Sequence, residues 1–117
     1  MTQPQIITAR AFSKNRLLSV GQNSYTRSHP KQASLAKRAG EPEKVYLHAE
    51  VSALLKCLRI KQQVVLLEIE RYGASGKMLL ARPCSICRIA IIEAGVRQVR
   101  YTSSDGWITE DVNEWAT

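Results

Sequence analysis

The sequence predicts one α/β domain: a mixed sheet with helices packed on it. Three observations carry that expectation. Apolar residues alternate between the period-two pattern of strands and the three-and-four spacing of helices, in strand-strand-helix-helix-strand-helix-strand order. Pro and Gly fall at the boundaries of these segments. The 117 residues, 44% hydrophobic and 23% charged, suit one core without an internal repeat, linker or low-complexity segment, so residues 1–117 read as a single catalytic-sized domain. A chain of this length buries roughly two thirds of its unfolded surface and folds without disulfide staples.

"IITARAF" (6–12) and "RLLSVGQN" (16–23) read as two strands around a short turn, a hairpin. "YTRSHP" is a polar loop. "PKQASLAKRA" (30–39) predicts a short helix stopped by Gly40. "HAEVSALLKCLR" (48–59) sets Val51, Leu54, Leu55 and Leu58 on one helical face. "VVLLEIERY" (64–72) is apolar and β-branched at its start, as a buried strand is. "GASGKMLLAR" (73–82) reads as a turn with a short return strand. "CSICRIAIIEAG" (84–95) is a further helix closed by Gly95 in a left-handed cap, and "VRQVRYT" (96–102) alternates as a strand. The last segment, "SSDGWITEDVNEWAT", is polar, with a short element around Trp107.

Net charge is +7, from seventeen basic and ten acidic residues, which suits an anionic partner. The basic residues are dispersed, and the aromatics are few (four Tyr, two Trp, one Phe), too few stacking platforms for a long single-strand groove. No run of about 18 apolar residues marks a membrane span. The opening "MTQPQIITAR" lacks the layout of a signal peptide, so a cytoplasmic location is expected. Of three cysteines, two form Cys84-x-x-Cys87 and one, Cys57, stands alone. In a reducing compartment that pattern favours a metal or redox pair over a disulfide framework.

His48 opens one predicted helix. Pro83-Cys84-Ser85-Ile86-Cys87 opens another, with proline where a missing N–H does no harm. Two thiolates and one imidazole make three ligands for Zn²⁺ and leave a fourth position open, the layout of a catalytic rather than a structural site. Both groups stand at helix N-termini, whose partial positive charge favours the thiolate. Glu50 follows His48 by two residues, within reach of the metal's open side from a frayed first turn, where a carboxylate can move a proton. Cys57, nine residues after His48, falls half a turn round the helix and reads as a small buried hydrophobe. His29, in the "SHP" loop, is either a substrate-side group, a fourth ligand or a plain loop histidine.

His-x-Glu followed by Pro-Cys-x-x-Cys is the signature of zinc nucleobase deaminases. With "HAE" at 48–50 and "PCSIC" at 83–87, the sequence resembles the cytidine and deoxycytidylate deaminase superfamily. "LSVGQN" (18–23) is similar to the family strand ending in Gly-x-Asn, and "IAIIEAGVRQVRY" (89–101) to the family helix, Ala-Gly turn and next strand. The likeness runs over residues 6–102 and implies a three-layer cytidine-deaminase-like fold, with a mixed central sheet of about five strands and helices on both faces. Two features depart from it. The family's first helix is missing ahead of the first strand, and the 73–82 segment is interposed before Pro83.

The resemblance implies a hydrolytic deaminase holding one zinc per chain on His48, Cys84 and Cys87, with Glu50 as the proton carrier. It implies that Asn23 contacts sugar or base and that small Ala49 lines the base pocket. Substrate contacts are expected further from Ser85, from Arg27, His29 and Lys31 in the basic loop after Asn23, and from Arg82, which either binds phosphate or pairs with a surface acid. Deoxycytidylate is the first expectation for substrate. A base deaminase of tRNA or single-stranded DNA and a non-catalytic zinc-binding assembly protein are the alternatives. Arg82 stands where polynucleotide editors of the tRNA type place a glutamate. A homo-oligomer is expected, because the missing helix and the 73–82 segment should leave apolar sheet or rim surface to cover.

Overall fold

The computed structural model describes residues 5–116. Five strands form one mixed sheet: β1 (Ile7–Ser13), β2 (Arg16–Gln22), β3 (Leu66–Arg71), β4 (Gln98–Ser103) and β5 (Gly106–Asp111). Their order is β2-β1-β3-β4-β5. Only β3 and β4 run parallel; the other neighbours are antiparallel. The three helices are α1 (Pro30–Arg38), α2 (Ala49–Arg59) and α3 (Ser85–Glu93), and a 3-10 turn, Val112–Ala116, closes the described chain. The parallel β3–β4 step needs a crossover, and α3 lies on that connection.

The strand alternation divides the sheet cleanly. Cross-strand register aligns Ser19, Ala11, Leu67 and Val99 in one row and Gly21, Ala9, Ile69 and Tyr101 in the next. From these rows Ala9, Ala11, Leu67, Ile69, Val99 and Tyr101 join Leu35, Val51, Ala53, Ile86 and Ile91 of the helices in one core. The small residues on β1 and β2 have a purpose. A Cβ on Gly21 would stand 2.4 Å from the Ala49 carbonyl oxygen and 2.5 Å from the Ala53 nitrogen, so only glycine lets α2 lie this close to the sheet. Ser19 reinforces the contact, its Oγ donating to the Ala53 carbonyl at 2.8 Å and lying 3.1 Å from the Cys57 sulfur.

Three expectations hold only in part. On α2, Val51 and Leu54 are buried as expected and Leu55 packs against the core, but Leu58 is 72% exposed, and the buried face extends to Ala49, Ala53 and Cys57. Close approach at Gly21 selects small residues for the seam, whereas apolar spacing picks out the large ones. The short element expected around Trp107 is a full strand: "SSDG" turns the chain into β5, which pairs along β4 from Ser103↔Gly106 to Gln98↔Asp111. An Asp-Gly step between two strands is a hairpin signal, hidden here by the polar composition of the following strand. Segment 73–82 makes a single bridge, Tyr72↔Met78, in place of a return strand.

Helices were expected on both sheet faces. Among the described residues all three lie on the core face, and none precedes β1. Nor is the opposite face apolar. One row across it reads Val20, Arg10, Glu68, Arg100, Thr109. Arg10 pairs with Glu70 at 2.7 Å, Arg100 lies 3.7 Å from Glu68, and the Arg100 guanidinium sits 4.8 Å over the Trp107 ring. Paired charges make this face tolerable in water, so the missing helix leaves no bare core.

Candidate active site

The two helix mouths meet above the core. His48 is the N-cap of α2, in an extended conformation (φ −83°, ψ 154°) and without a side-chain cap bond, which frees the imidazole. Fully buried Gln32 of α1 fixes it from behind: Oε1 accepts from the His48 backbone N–H at 3.1 Å, and Nε2 donates to the Lys44 carbonyl at 3.4 Å. Cys84 is the N-cap of α3, also extended, and Cys87 follows one turn later. The His48 Nδ1 stands 3.2 Å from the Cys87 sulfur and 3.6 Å from that of Cys84. All three donor atoms lie within 4.8 Å of one another.

That spacing fits zinc. Ligand bonds of about 2.0–2.3 Å at a tetrahedral angle place the donors about 3.6 Å apart. The proton balance fits as well. A hydrogen bond from Cys87 foremost, with help from His48 and against burial, holds Cys84 down to about 4. The same sulfur pair, with burial, pushes Cys87 well above the usual thiol range. His48 is raised, chiefly by its bond to Cys84. Cys84 thus favours the thiolate, and a dication here would draw off the second thiol proton. Burial raises Glu50, whose carboxyl also contacts Cys87.

A pocket of about 400 Å³ opens over this group, within the range of small-ligand sites. Of the residues singled out from the sequence, His48, Ala49, Glu50, Cys84, Asn23 and Arg82 line it. Cys87 lies beneath, fully buried. The others lie elsewhere. His29 caps α1, its Nδ1 accepting from the Lys31 N–H at 3.0 Å. The Lys31 ammonium lies 3.6 Å from Glu93, and Arg27 lines a separate cleft with Val20 and Lys56. Ser85 donates to Glu41 at 2.9 Å, tying the 40–47 loop to the mouth of α3. Arg82 is gripped by both carboxylate oxygens of Glu110, at 3.1 and 3.2 Å. Tyr25, Lys44 and Arg71 also line the pocket and were not singled out from the sequence, nor was Gln32. Only Gln32 left a trace there: a polar residue three positions before Leu35 on a helix whose buried face they share.

A family profile described as the cytidine and deoxycytidylate deaminase zinc-binding region matches residues 5–103. The chain belongs to this family. His48, Cys84 and Cys87 lie inside the matched span and form the zinc-compatible group of this deaminase-family chain. A solved structure agrees on the fold. A cytidine deaminase from Burkholderia pseudomallei superposes with a TM-score of 0.65 at 15% identity, over 94% of this chain and 77% of the other. A dCMP deaminase from the cyanophage S-TIM5, in apo form, aligns with a TM-score of 0.49 at 22% identity, over 81% of this chain and 64% of its own length. No curated protein matches the chain. Among the described residues no helix is long and apolar enough to cross a membrane.

Proposed function

We propose that this deaminase-family chain hydrolytically deaminates a cytosine nucleotide, deoxycytidylate foremost, as a cytoplasmic homo-oligomer with one zinc per chain. The observation that carries the reading is Glu50, a buried acid in the lining of the substrate-sized pocket, beside the three convergent donors. Bound at His48, Cys84 and Cys87, zinc would supply an activated water at neutral pH. Glu50 would carry both protons of a water, the first to the ring nitrogen and the second to the departing amine, so cytosine and water become uracil and ammonia. Its raised affinity for protons, the result of burial, suits a group that must take and give a proton near neutral pH. Ala49 leaves room for the ring beside the donors, and Asn23 borders the same space. Cys87, shielded from solvent, would hold the metal from the core side.

Ammonia release from dCMP, dCTP, deoxycytidine and a single-stranded oligodeoxynucleotide, compared on zinc-loaded protein with metal content measured alongside, tests the reading. Turnover of dCMP with about one zinc per chain is the expected result. Turnover of the oligonucleotide alone would make the chain a polynucleotide deaminase. Zinc binding with no turnover of any substrate would leave an assembly protein.

A further inference from the structure

We infer that Arg71 is the specificity-determining residue of the pocket and that it recognises a phosphate monoester on the substrate. The inference rests on the nucleotide-deaminase reading above and names the part of the substrate that this site selects.

Three cations line the pocket: Lys44, Arg71 and Arg82. Two are already neutralised. The Lys44 ammonium lies 2.7 Å from Glu41, with Glu43 beside it in the pocket lining, so that side of the pocket does not favour an anion. Both donor faces used by Arg82 are taken up by Glu110. Arg71 differs. Its Nε donates to the side-chain oxygen of Gln5 at 2.6 Å, Nη2 donates to the same oxygen, and Nη1 donates to the Leu80 carbonyl at 3.3 Å. All of these acceptors are neutral, and among the described residues no carboxylate forms an ion pair with Arg71. A guanidinium carries five N–H donors. Among the described residues three have partners, which leaves one on each terminal nitrogen.

The full charge and the two free donors belong to a residue that is held rather than mobile. Gln5 is itself fixed, its carbonyl accepting from Asn23 Nδ2 at 3.1 Å and from the Tyr25 hydroxyl at 2.8 Å. Asn23 also accepts from the Ile7 N–H at 2.8 Å, and Ile7 is the register partner of Arg71 across β1 and β3. Asn23 and Tyr25 therefore act on Arg71 through Gln5, as positioning residues. A preorganised fork with a donor free on each arm matches two oxygens of a phosphate monoester, a geometry an ammonium cannot offer. The cations expected from the sequence to do this, Arg27 and Lys31, stand outside the pocket.

The test compares wild type with Arg71→Gln and Arg71→Lys, using dCMP and deoxycytidine as substrates. Expected is a fall of about tenfold to a hundredfold in the kcat/KM preference for dCMP over deoxycytidine in Arg71→Gln, carried by KM, with partial recovery in Arg71→Lys. Lys37→Gln, which removes one positive charge from the exposed side of α1, should keep the preference and so exclude an effect of net charge. Calorimetric binding of dUMP against deoxyuridine reads the same contact without turnover. If wild type deaminates neither substrate but still binds dUMP in preference, and Arg71→Gln abolishes that preference, the deaminase reading fails and the phosphate site stands. A wild type indifferent to the phosphate overturns the inference. So does an Arg71→Gln protein in which both substrates lose equally, or in which only an oligodeoxynucleotide is affected.

Discussion

Glu50 occupies the first turn of α2, where the helix dipole favours a carboxylate, yet burial works the other way and raises its proton affinity. A buried acid with so little solvent is costly to keep for stability alone. Glu50→Gln keeps the shape and removes the titration. The expected outcome is unchanged zinc content and a thermal midpoint close to wild type, with turnover lower by a hundredfold or more, on the order of what general acid–base catalysis contributes. Loss of zinc in Glu50→Gln would show instead that the carboxylate helps hold the metal. At this scale the sequence was legible wherever residue type alone reports chemistry: His48, Glu50, Cys84 and Cys87 announce themselves by identity and spacing. Arg71 and Gln32 did not. Arg71 becomes a pocket cation only because β-register sets it beside Ile7, 64 residues earlier in the chain, and Gln32 becomes His48's anchor only when α1 folds under the 44–48 segment.

Between elements the decisive contact is the seam of α2 on β2. Gly21→Ala forces a methyl into the backbone of Ala49 and Ala53, atoms that cannot swing aside as a flexible side chain would. Overpacking of this kind costs about 1–3 kcal/mol. Because Ala49 directly follows His48, the displacement should also reach the zinc-compatible group. Chemical denaturation and competition with a zinc chelator are the measurements, and both stability and zinc affinity should fall. Ser52→Ala, whose backbone stays where it is, provides the comparison; equal stability and zinc affinity in Gly21→Ala and wild type would contradict the seam. The same seam explains why Leu58 was misplaced from the sequence. Hydrophobic spacing measures which residues prefer to leave water, not how closely two backbones approach; here it found Val51 and Leu54, while the close approach brought Ala49, Ala53 and Cys57 inward and left Leu58 outside. The β5 strand was obscured for a related reason. It lies at the sheet edge, where exposed Thr109 and Asp111 carry no apolar alternation.

The whole molecule is compact, with a radius of gyration of 13.6 Å, and its two sheet faces pose opposite problems. The core face is covered by helices; the other balances its own charges through Arg10–Glu70 and Arg100–Glu68. Assembly through that polar face would have to desolvate paired ions, a poor source of net affinity. The helical side offers a better one. An apolar groove of about 150 Å³ runs between the helices, walled by Leu54, Leu55, Leu58, Ala90 and Ala94, with Lys31 and Glu93 at its rim. Leu58 protrudes from it, 72% exposed. A second copy related by two-fold symmetry would set one protomer's Leu58 against the same groove of its partner, an isologous contact of apolar centre and charged rim. The net charge of +7 opposes such an approach, and salt screens that repulsion within about 8 Å at physiological ionic strength. Sedimentation at micromolar concentration should therefore find an oligomer that tightens as salt rises, and Leu58→Lys should dissociate it without lowering the stability of the protomer. A wild type that sediments as a monomer at every salt concentration would rule out self-association. An oligomer untouched by Leu58→Lys would move the interface away from α2.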